Sequence, residues 1–291
     1  MTTCLLTFDV EDWFQTENLR PIFPPDCWET IPRRVTESTR VILRFLADAG
    51  TPSTFFVLGW VAEREPALVR EIAAAGHEVA CHGYGHVLPM QLTPDQFRND
   101  VLRARKVLEE IVGRDVIGYR APSFSIDRER LEILAECGFR YDSSCHPFRL
   151  HSRYGRLGDL GSPIAPGVHR VDGRMVELRL PVERMGPLLL PVSGGGYFRL
   201  YPGGLFRSLV RRAVAREGHY ELYLHSWEFD PGQPRIRDAG LARTFRHYIN
   251  LSRTLPRTRR LVGMLQSMGA RFVTARDLVE EILPHACEVN A

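Results

Sequence analysis

One pattern recurs along the chain: the end of an amphipathic segment, a glycine, and then a short run rich in β-branched and aromatic residues. Five segments have this form: FLADAG-TPSTFFVLG, EIAAAG-HEVACHG, ILAECG-FRYDSS, VAREG-HYELYLHSW and MLQSMG-ARFVTAR. A glycine directly after a helix adopts the left-handed conformation at little cost, so each segment predicts a helix end followed by a strand. Helices alternating with short apolar strands indicate a parallel α/β sheet.

The pattern places the elements in order. We predict helices over 36–49, 61–75, 94–112, 127–137 and 202–217, and buried strands over 4–9, 53–58, 78–82, 117–122 and 220–225. The Gly- and Pro-rich stretch 143–200 is strand-like at 176–182 and 195–200, and we interpret it as a β-hairpin or loop insertion. Because no linker divides the chain, we predict a single barrel-like α/β domain over 1–291, with the helical segment 234–291 packed on the barrel.

The net charge and the composition limit the classes of partner that the protein is expected to bind. Lys+Arg 38 against Asp+Glu 35 gives a net charge of +3, too balanced for a nucleic-acid-binding protein. No stretch approaches the roughly 20 apolar residues of a membrane-spanning helix. The six cysteines form no C-x-x-C pair, and the N-terminus lacks a basic region and a cleavage site. We therefore expect a cytoplasmic protein, with association to a membrane biosynthetic complex left open and the oligomeric state unassigned.

Nearly every predicted strand ends in ionisable or imidazole side chains, and functional groups of parallel α/β barrels cluster at the carboxyl ends of the strands. These strand-end segments are Asp9-Val10-Glu11-Asp12, His82-Gly-Tyr-Gly-His86, Tyr119-Arg120-Ala121-Pro122-Ser123, Tyr141-Asp142-Ser143-Ser144 and His225-Ser226-Trp227-Glu228.

His82 and His86 are four residues apart, so their imidazoles can point the same way from a single turn and suit zinc or a similar divalent ion. A carboxylate from the first strand would complete a ligand set that leaves a position for water. A second carboxylate would act as general base, and His225 would protonate a leaving group.

These residues carry a family resemblance. TFDVED, HGYGH, YRAPS, YDSS and YLHSW resemble, in order over roughly residues 4–230, the five motifs of the NodB-homology polysaccharide deacetylases, carbohydrate esterase family 4. FDVEDWF, HGYGH, SGGGYFRL and HSWEFDP together resemble the branch encoded beside exosortase-type exopolysaccharide loci. The resemblance implies a distorted (β/α)7-type barrel. It also implies removal of N-acetyl groups from amino sugars of an exopolysaccharide or its lipid-linked precursor.

The resemblance also implies roles. Asp9 would be the catalytic base, His225 the general acid, and Arg120 the partner that keeps Asp9 charged. Asp142 would either orient His225 or cap a turn. The expected substrate-binding residues are Tyr84, Pro122, Ser123 and Trp227, with a backbone N–H near Pro122-Ser123 facing the oxyanion and with a core position as the alternative for Trp227.

The metal would be held by His82, His86 and one of two carboxylates. Glu11 projects to the same side as Asp9 on an extended strand, which favours Glu11 as the ligand. Asp12 lies where the strand turns, and the choice between Glu11 and Asp12 stays open. Zinc is the expected ion, and cobalt, nickel and iron also fit a His/His/carboxylate set.

Two other functions compete. An allantoinase-like or cyclic-imide hydrolase would use the same scaffold, often without the paired histidines, so retention of His82 and His86 favours the deacetylase. A non-catalytic carbohydrate-binding scaffold would have lost its base or its acid, and here Asp9 and His225 both remain.

Overall fold

A computed structural model of the chain describes residues 2–147, 155, 157–186, 188–236 and 239–283. Its strands are β1 (Thr3–Val10), β2 (Thr54–Val57), β3 (Glu78–Cys81), β4 (Gly118–Tyr119), β5 (Tyr141–Asp142), β6 (Val168–Arg170), β7 (Val176–Leu178), β8 (Val182–Met185), β9 (Leu188–Pro191), β10 (His219–His225) and β11 (Arg271–Val273). Its α-helices are α1 (Val35–Ala49), α2 (Gly59–Arg64), α3 (Pro66–Ala74), α4 (Pro94–Val112), α5 (Arg128–Glu136), α6 (Gly195–Leu200), α7 (Gly203–Glu217), α8 (Leu241–Tyr248), α9 (Thr254–Ser267) and α10 (Ala275–Ile282).

The main sheet is a curled half-barrel surrounded by helices. Its strand order is β10-β1-β2-β3-β4-β5-β7-β6, and β11 adds to β1. All neighbours are parallel except β6, which runs antiparallel to β7. The β8 and β9 strands form a separate antiparallel hairpin. The predicted mixed α/β barrel class is therefore confirmed.

Strand alternation separates two packing faces. Leu6 and Phe8 of β1 belong to the large core cluster between the sheet and its helices. Leu5 instead packs with Phe56 in a smaller cluster that α10 covers. Because alternate residues share a face, Asp9 lies on the same side as Leu5, towards the carboxyl end of β1. That side of the barrel thus changes from an apolar base to a charged mouth.

Two predicted elements differ from the structure. The predicted helix over 61–75 is two helices, because Pro66 lacks a backbone donor and begins α3. The predicted strand over 195–200 is the helix α6, which places Phe198 and Arg199 in the core. A six-residue segment is too short for its periodicity to separate a helix from a strand.

The C-terminal segment adds to the barrel: β11 pairs with the start of β1, and α10 packs on the apolar cluster at the base. The prediction for 284–291 lies outside the described residues. No helix within the described ranges combines the length and apolar character that a membrane span requires.

Candidate active site

Two neighbouring strands, β1 and β10, carry residues of the site. They pair in parallel with Asp9 opposite His225. Just beyond them, the Ser226 hydroxyl donates to the Glu11 carbonyl at 2.7 Å, and the Glu11 N–H donates back to that hydroxyl at 3.3 Å. This reciprocal pair of hydrogen bonds fixes the two strand ends together and brings Asp9, Glu11 and His225 to one mouth.

Glu11, His82 and His86 form a buried metal-ligating cluster. One ligand atom from each residue lies within 4.8 Å of the others. The Nδ1–H of His82 donates to the Arg120 carbonyl at 2.8 Å, which leaves its Nε2 lone pair for a ligand. Burial lowers the pKa of His82 to about 4, so its imidazole is neutral at physiological pH. The structure thus brings together both predicted histidines and one of the two candidate carboxylates.

The donor set suits a divalent cation. The Oε2 atom of Glu11 is buried and lies 2.8 Å from His86 Nε2. Two imidazoles and one carboxylate are typical of catalytic zinc. Burial opposes ionisation of Glu11, but the charge and hydrogen bond of His86, followed by His225 and His82, outweigh it and lower the pKa to about 2.

Asp12 does not join this cluster. Its carboxylate accepts hydrogen bonds from the backbone N–H groups of Trp13, Arg34 and Val35, at 2.9, 2.7 and 3.0 Å. Val35 begins α1 and Arg34 is its N-cap residue, and the N-terminal donors of a helix need an acceptor. The structure therefore assigns Asp12 to the start of a helix, and Glu11 is the carboxylate beside the histidines.

Arg120 is fully buried and holds Asp9. Its Nη1 donates to Asp9 Oδ1 at 2.8 Å and to Thr7 Oγ1 at 3.0 Å. Its Nη2 donates to Ser143 Oγ at 2.8 Å and to Glu221, a carboxylate that the sequence reasoning missed. Glu221 lies on β10 two pairing positions below Tyr223 and four below His225, so strand alternation is the signal that points to it.

His225 lies between three carboxylates. Its Nε2 is 3.7 Å from Asp9 Oδ2 and 3.8 Å from Glu11 Oε1, and its Nδ1 is 3.7 Å from Glu228 Oε2. Burial disfavours the imidazolium, but Glu228 first, and then Glu11 and Asp9, raise the pKa of His225 to about 9. The side chain is therefore protonated at neutral pH, as a proton donor must be.

Glu228 is held on its other side by Arg199. The Arg199 Nε donates to Glu228 Oε1 at 3.1 Å, and both side chains are almost completely buried. Gly195 makes room for this carboxylate, since a Cβ there would lie 2.0 Å from Glu228 Oε2. The sequence analysis left Glu228 unassigned, although its position three residues after His225 in a single turn is visible in the sequence.

Asp142 is not placed beside His225. Its oxygens accept from the Ser144 N–H at 3.0 Å and the Ser144 hydroxyl at 2.8 Å. Its carboxyl also bonds to Glu177, and the pKa of Asp142 is raised to about 6, chiefly by burial. Of the two roles expected for Asp142, the structure shows the local turn contact, while Glu228 occupies the position against His225.

Trp227 lies under the site. Its Nε1–H donates to Glu11 Oε1 at 3.1 Å, and its ring stacks between those of His225 and His247. The ring is 7% exposed and borders the cavity, so Trp227 supports Glu11 and His225 as well as forming part of the wall.

The mouth opens into a cavity of about 530 Å³. Asp9, Glu11, His82, His86 and His225 lie at its floor. Its walls are largely aromatic and aliphatic, and they comprise Phe124, Tyr197, Leu200, Tyr223, Ala242, Phe245 and Ile249. The last three come from α8 and its C-terminal end, which no sequence motif associates with the site.

One wall carries strained backbone. Ser123 and Phe124 have φ angles of 52° and 55°, in the left-handed region that non-glycine residues rarely adopt. The Phe124 and Ser125 N–H groups donate to the carbonyls of Ala121 and Pro122, whereas the Ser123 N–H has no acceptor among the described residues.

The four expected substrate-binding residues divide into two groups. Ser123 and Trp227 line the cavity, and Tyr84 and Pro122 do not. The Tyr84 hydroxyl donates to Glu63 at 2.6 Å and the guanidinium of Arg103 lies 3.5 Å from its ring centre, so Tyr84 belongs to the α2–α4 surface. Pro122 is buried and begins the turn that presents Ser123.

Family comparison agrees with this geometry. Residues 3–141 match the family model described as Polysaccharide deacetylase. Over these residues the chain is similar to polysaccharide deacetylases. Residues 143–280 match a second model, a domain of unknown function (DUF3473). The metal-ligating cluster therefore lies in the deacetylase segment, whereas His225, Glu228 and Arg199 come from the second.

Curated relatives are similar to part of the chain. The chain is 31% identical over 123 residues to a peptidoglycan deacetylase of Helicobacter pylori, covering 42% of each chain. It is also 31% identical over 103 residues to a peptidoglycan-N-acetylglucosamine deacetylase of Bacillus cereus, covering 35% of this chain and 38% of the relative. The chain thus spans less than half the length of these two relatives.

The fold comparison extends further along the chain. A Mycobacterium smegmatis protein assigned as a polysaccharide deacetylase superimposes with a TM-score of 0.62 and 22% identity, over 97% of this chain and 90% of that one. The polysaccharide deacetylase fold expected from the motifs is therefore confirmed beyond the family segment.

Proposed function

We propose that the protein is a metal-dependent hydrolase that removes N-acetyl groups from amino sugars, releasing acetate and a free amine. The observation that carries this proposal is the position of a base candidate, Asp9, and a protonated acid candidate, His225, at 3.7 Å from each other beside the Glu11, His82 and His86 cluster. A binding scaffold would not need such a pair.

Glu11, His82 and His86 would hold the cation, and zinc fits this ligand set best, with cobalt, nickel and iron also compatible. When bound, such an ion supplies Lewis acidity, which polarises a carbonyl and lowers the pKa of water.

The chain's own residues then divide the proton transfers. Asp9, which accepts a hydrogen bond from the Arg120 guanidinium, accepts the proton of the attacking water. His225 donates its proton to the amine as the C–N bond breaks. Glu228 orients His225, and the backbone N–H of Ser123, a residue that lines the cavity, donates to the oxyanion.

The cavity supports a sugar substrate. Aromatic rings, among them Phe124 and Tyr223, form walls on which the apolar faces of a sugar stack. The name of the Bacillus cereus relative includes N-acetylglucosamine, and the motifs at 193–200 and 225–231 resemble the exopolysaccharide-locus branch. We therefore propose an N-acetylated exopolysaccharide or its lipid-linked precursor as the natural substrate. The cytoplasmic location expected from the sequence stays a prediction.

The test is acetate release from N-acetylglucosamine oligosaccharides by zinc-loaded protein, chelator-treated protein and the zinc-loaded Asp9→Asn variant. We expect release only from the first. Metal content of the variant serves as a control, because Asp9 lies outside the ligand cluster and the variant should still bind zinc. Release that persists in chelator would contradict the proposal and favour the allantoinase-like mechanism. Full activity of Asp9→Asn would remove Asp9 as the base.

A further inference from the structure

The cavity mouth is bordered by apolar side chains that the described residues leave uncovered. Leu241 and Phe245, one turn apart on α8, are 93% and 60% exposed, and Leu200 at the end of α6 is 48% exposed. Phe245 and Leu200 also line the cavity. Exposed apolar groups gathered at the entrance of a site mark a surface that meets an apolar partner.

Arginines lie near two of these side chains: Arg257 donates to the carbonyls on either side of Leu200, and Arg246 follows Phe245. Arg246 lines the cavity from the same helix as Phe245. Arg207 and Arg257 lie together beside Gly203, where a Cβ would be 3.5 Å from one guanidinium and 3.8 Å from the other. Burial, followed by the charges of Arg207 and Arg253, lowers the pKa of Arg257.

None of these four arginines pairs with a carboxylate within the described part of the chain. The surface therefore combines uncovered apolar groups with positive charge that the protein itself does not neutralise. We call it the arginine rim: Leu200, Leu241 and Phe245 with Arg207, Arg246, Arg253 and Arg257.

We propose that the arginine rim docks on an anionic phospholipid bilayer. Apolar side chains that enter the interface while neighbouring arginines meet lipid phosphates are the combination that holds proteins on such membranes. The charge of the rim has a single sign, which complements a lipid surface. Docking in this way turns the cavity mouth towards the membrane, so the amino sugar is one presented at the bilayer surface.

This inference deepens the proposed function, because it rests on that function for the identity of the cavity's substrate. Its test needs neither catalysis nor metal. The full chain is floated with vesicles of phosphatidylcholine containing phosphatidylglycerol, and with vesicles of phosphatidylcholine alone. We expect binding to the anionic vesicles that weakens with added salt, and little binding to the neutral ones.

Variants separate docking from general adhesion. Leu241→Ser combined with Phe245→Ser should weaken vesicle binding about tenfold, whereas Leu102→Ser, at a 42% exposed leucine of α4, should leave it unchanged. Arg246→Gln with Arg253→Gln should weaken binding about tenfold. Arg44→Gln with Arg70→Gln removes the same charge from other exposed helix positions and should have little effect.

Absence of binding to anionic vesicles by the unmodified chain would overturn the proposal. Equal losses in the rim and control pairs would also overturn it, by showing nonspecific adhesion. Circular dichroism of each variant checks that it is folded. Acetate release without vesicle binding would support the proposed function and contradict the docking. Vesicle binding without acetate release would support the docking and contradict the proposed function.

Discussion

Glu11 and Asp12 are neighbours in sequence but serve different parts of the molecule. Glu11 points to the histidines and accepts a hydrogen bond from Trp227, whereas Asp12 accepts the first backbone donors of α1. The difference follows from alternation at the end of an extended strand, which sends consecutive side chains to opposite sides. Two adjacent acids can therefore be tested against each other.

Glu11→Gln should weaken zinc binding by at least about 100-fold with little change in stability, because removal of a direct ligand costs no less than removal of its supporting contacts. Asp12→Ala should instead lower the free energy of unfolding by about 2 kcal/mol, since three buried N–H groups lose their acceptor. Calorimetric zinc titration measures the affinity of both variants, and urea unfolding measures their stability. Loss of zinc binding in Asp12→Ala together with loss of stability in Glu11→Gln would contradict the roles assigned to the two acids.

Glu228 and Asp142 provide a second contrast. Glu228→Gln should lower kcat for deacetylation about 10- to 100-fold, because His225 loses the carboxylate that orients and charges it. Asp142→Asn should leave kcat nearly unchanged, since its contacts are to Ser144 and Glu177. Steady-state kinetics on one acetylated oligosaccharide compare them. Equal losses from both variants would show that Asp142 acts on His225 through an indirect route.

The site residues that directly follow a strand could be predicted from the sequence. The site residues that contact it from elements distant in sequence could not. Asp9, His82, His86 and His225 were predictable because parallel strand ends meet at one edge. The choice between the two roles expected for Asp142 stayed open because the sequence does not show which side chains cross from one element to another. Glu228 could have been considered from its spacing to His225, but its partner Arg199 lies 29 positions earlier.

Among the elements, α6 shows how a short segment can be defined by the site beside it. Residues 195–200 are strand-like in sequence, yet Gly195 begins a helix. The absence of a side chain at Gly195 is what admits the Glu228 carboxylate against the first turn. Local propensity therefore could not predict this helix, because a contact across the fold determines its sequence.

Gly195→Ala should lower stability and activity despite the better helix propensity of alanine, since its Cβ would overlap the Glu228 carboxylate. Gly196→Ala is the matched control: a Cβ there meets nothing within 4 Å, so the helix should gain about 0.5 kcal/mol. Thermal unfolding and acetate release measure both. A stabilising Gly195→Ala would show that Glu228 moves freely, and the argument for its fixed position would fail.

The β10 strand contains a buried histidine at its base as well as His225 at its mouth. His219 is fully buried with no hydrogen-bond partner for either ring nitrogen among the described residues, and burial lowers its pKa to about 4. In the unfolded chain the pKa of this histidine is near 6.5, so the side chain binds a proton below that pH. In the folded chain the same side chain stays neutral until the pH falls to about 4. Stability therefore falls as pH decreases from about 6.5 towards 4.

We expect His219 to contribute about 2 kcal/mol to the loss of stability between pH 7 and pH 5. Urea unfolding of the unmodified chain and of His219→Leu at both pH values measures this share. The variant should show a smaller loss between the two pH values. An identical loss would mean that other groups account for the acid sensitivity.

The molecule as a whole joins its two family segments in one sheet. β1 of the deacetylase segment pairs with β10 of the second segment over seven positions, from Thr3 opposite His219 to Asp9 opposite His225. The continuous sheet was predictable in outline, because helix–glycine–strand units recur on both sides of residue 142. Which strands neighbour each other was not, since that order depends on contacts distant in sequence.

A fragment of residues 1–142 should therefore fail to unfold cooperatively, because β1 loses both β10 and β11 as neighbours. Far-ultraviolet circular dichroism during heating compares this fragment with the full chain. A sharp transition in the fragment, with zinc binding retained, would show that the first segment is an independent domain and that the prediction of one domain is wrong.

Arg199 links two parts of the molecule that have separate tasks. Besides Glu228, its guanidinium donates to the carbonyls of His247 and Ile249, at the end of the helix that carries Phe245 into the cavity wall. Any displacement of α8 that widens the entrance must pull on the ion pair that orients His225. The position of α8 and the orientation of His225 are therefore linked through the single side chain of Arg199.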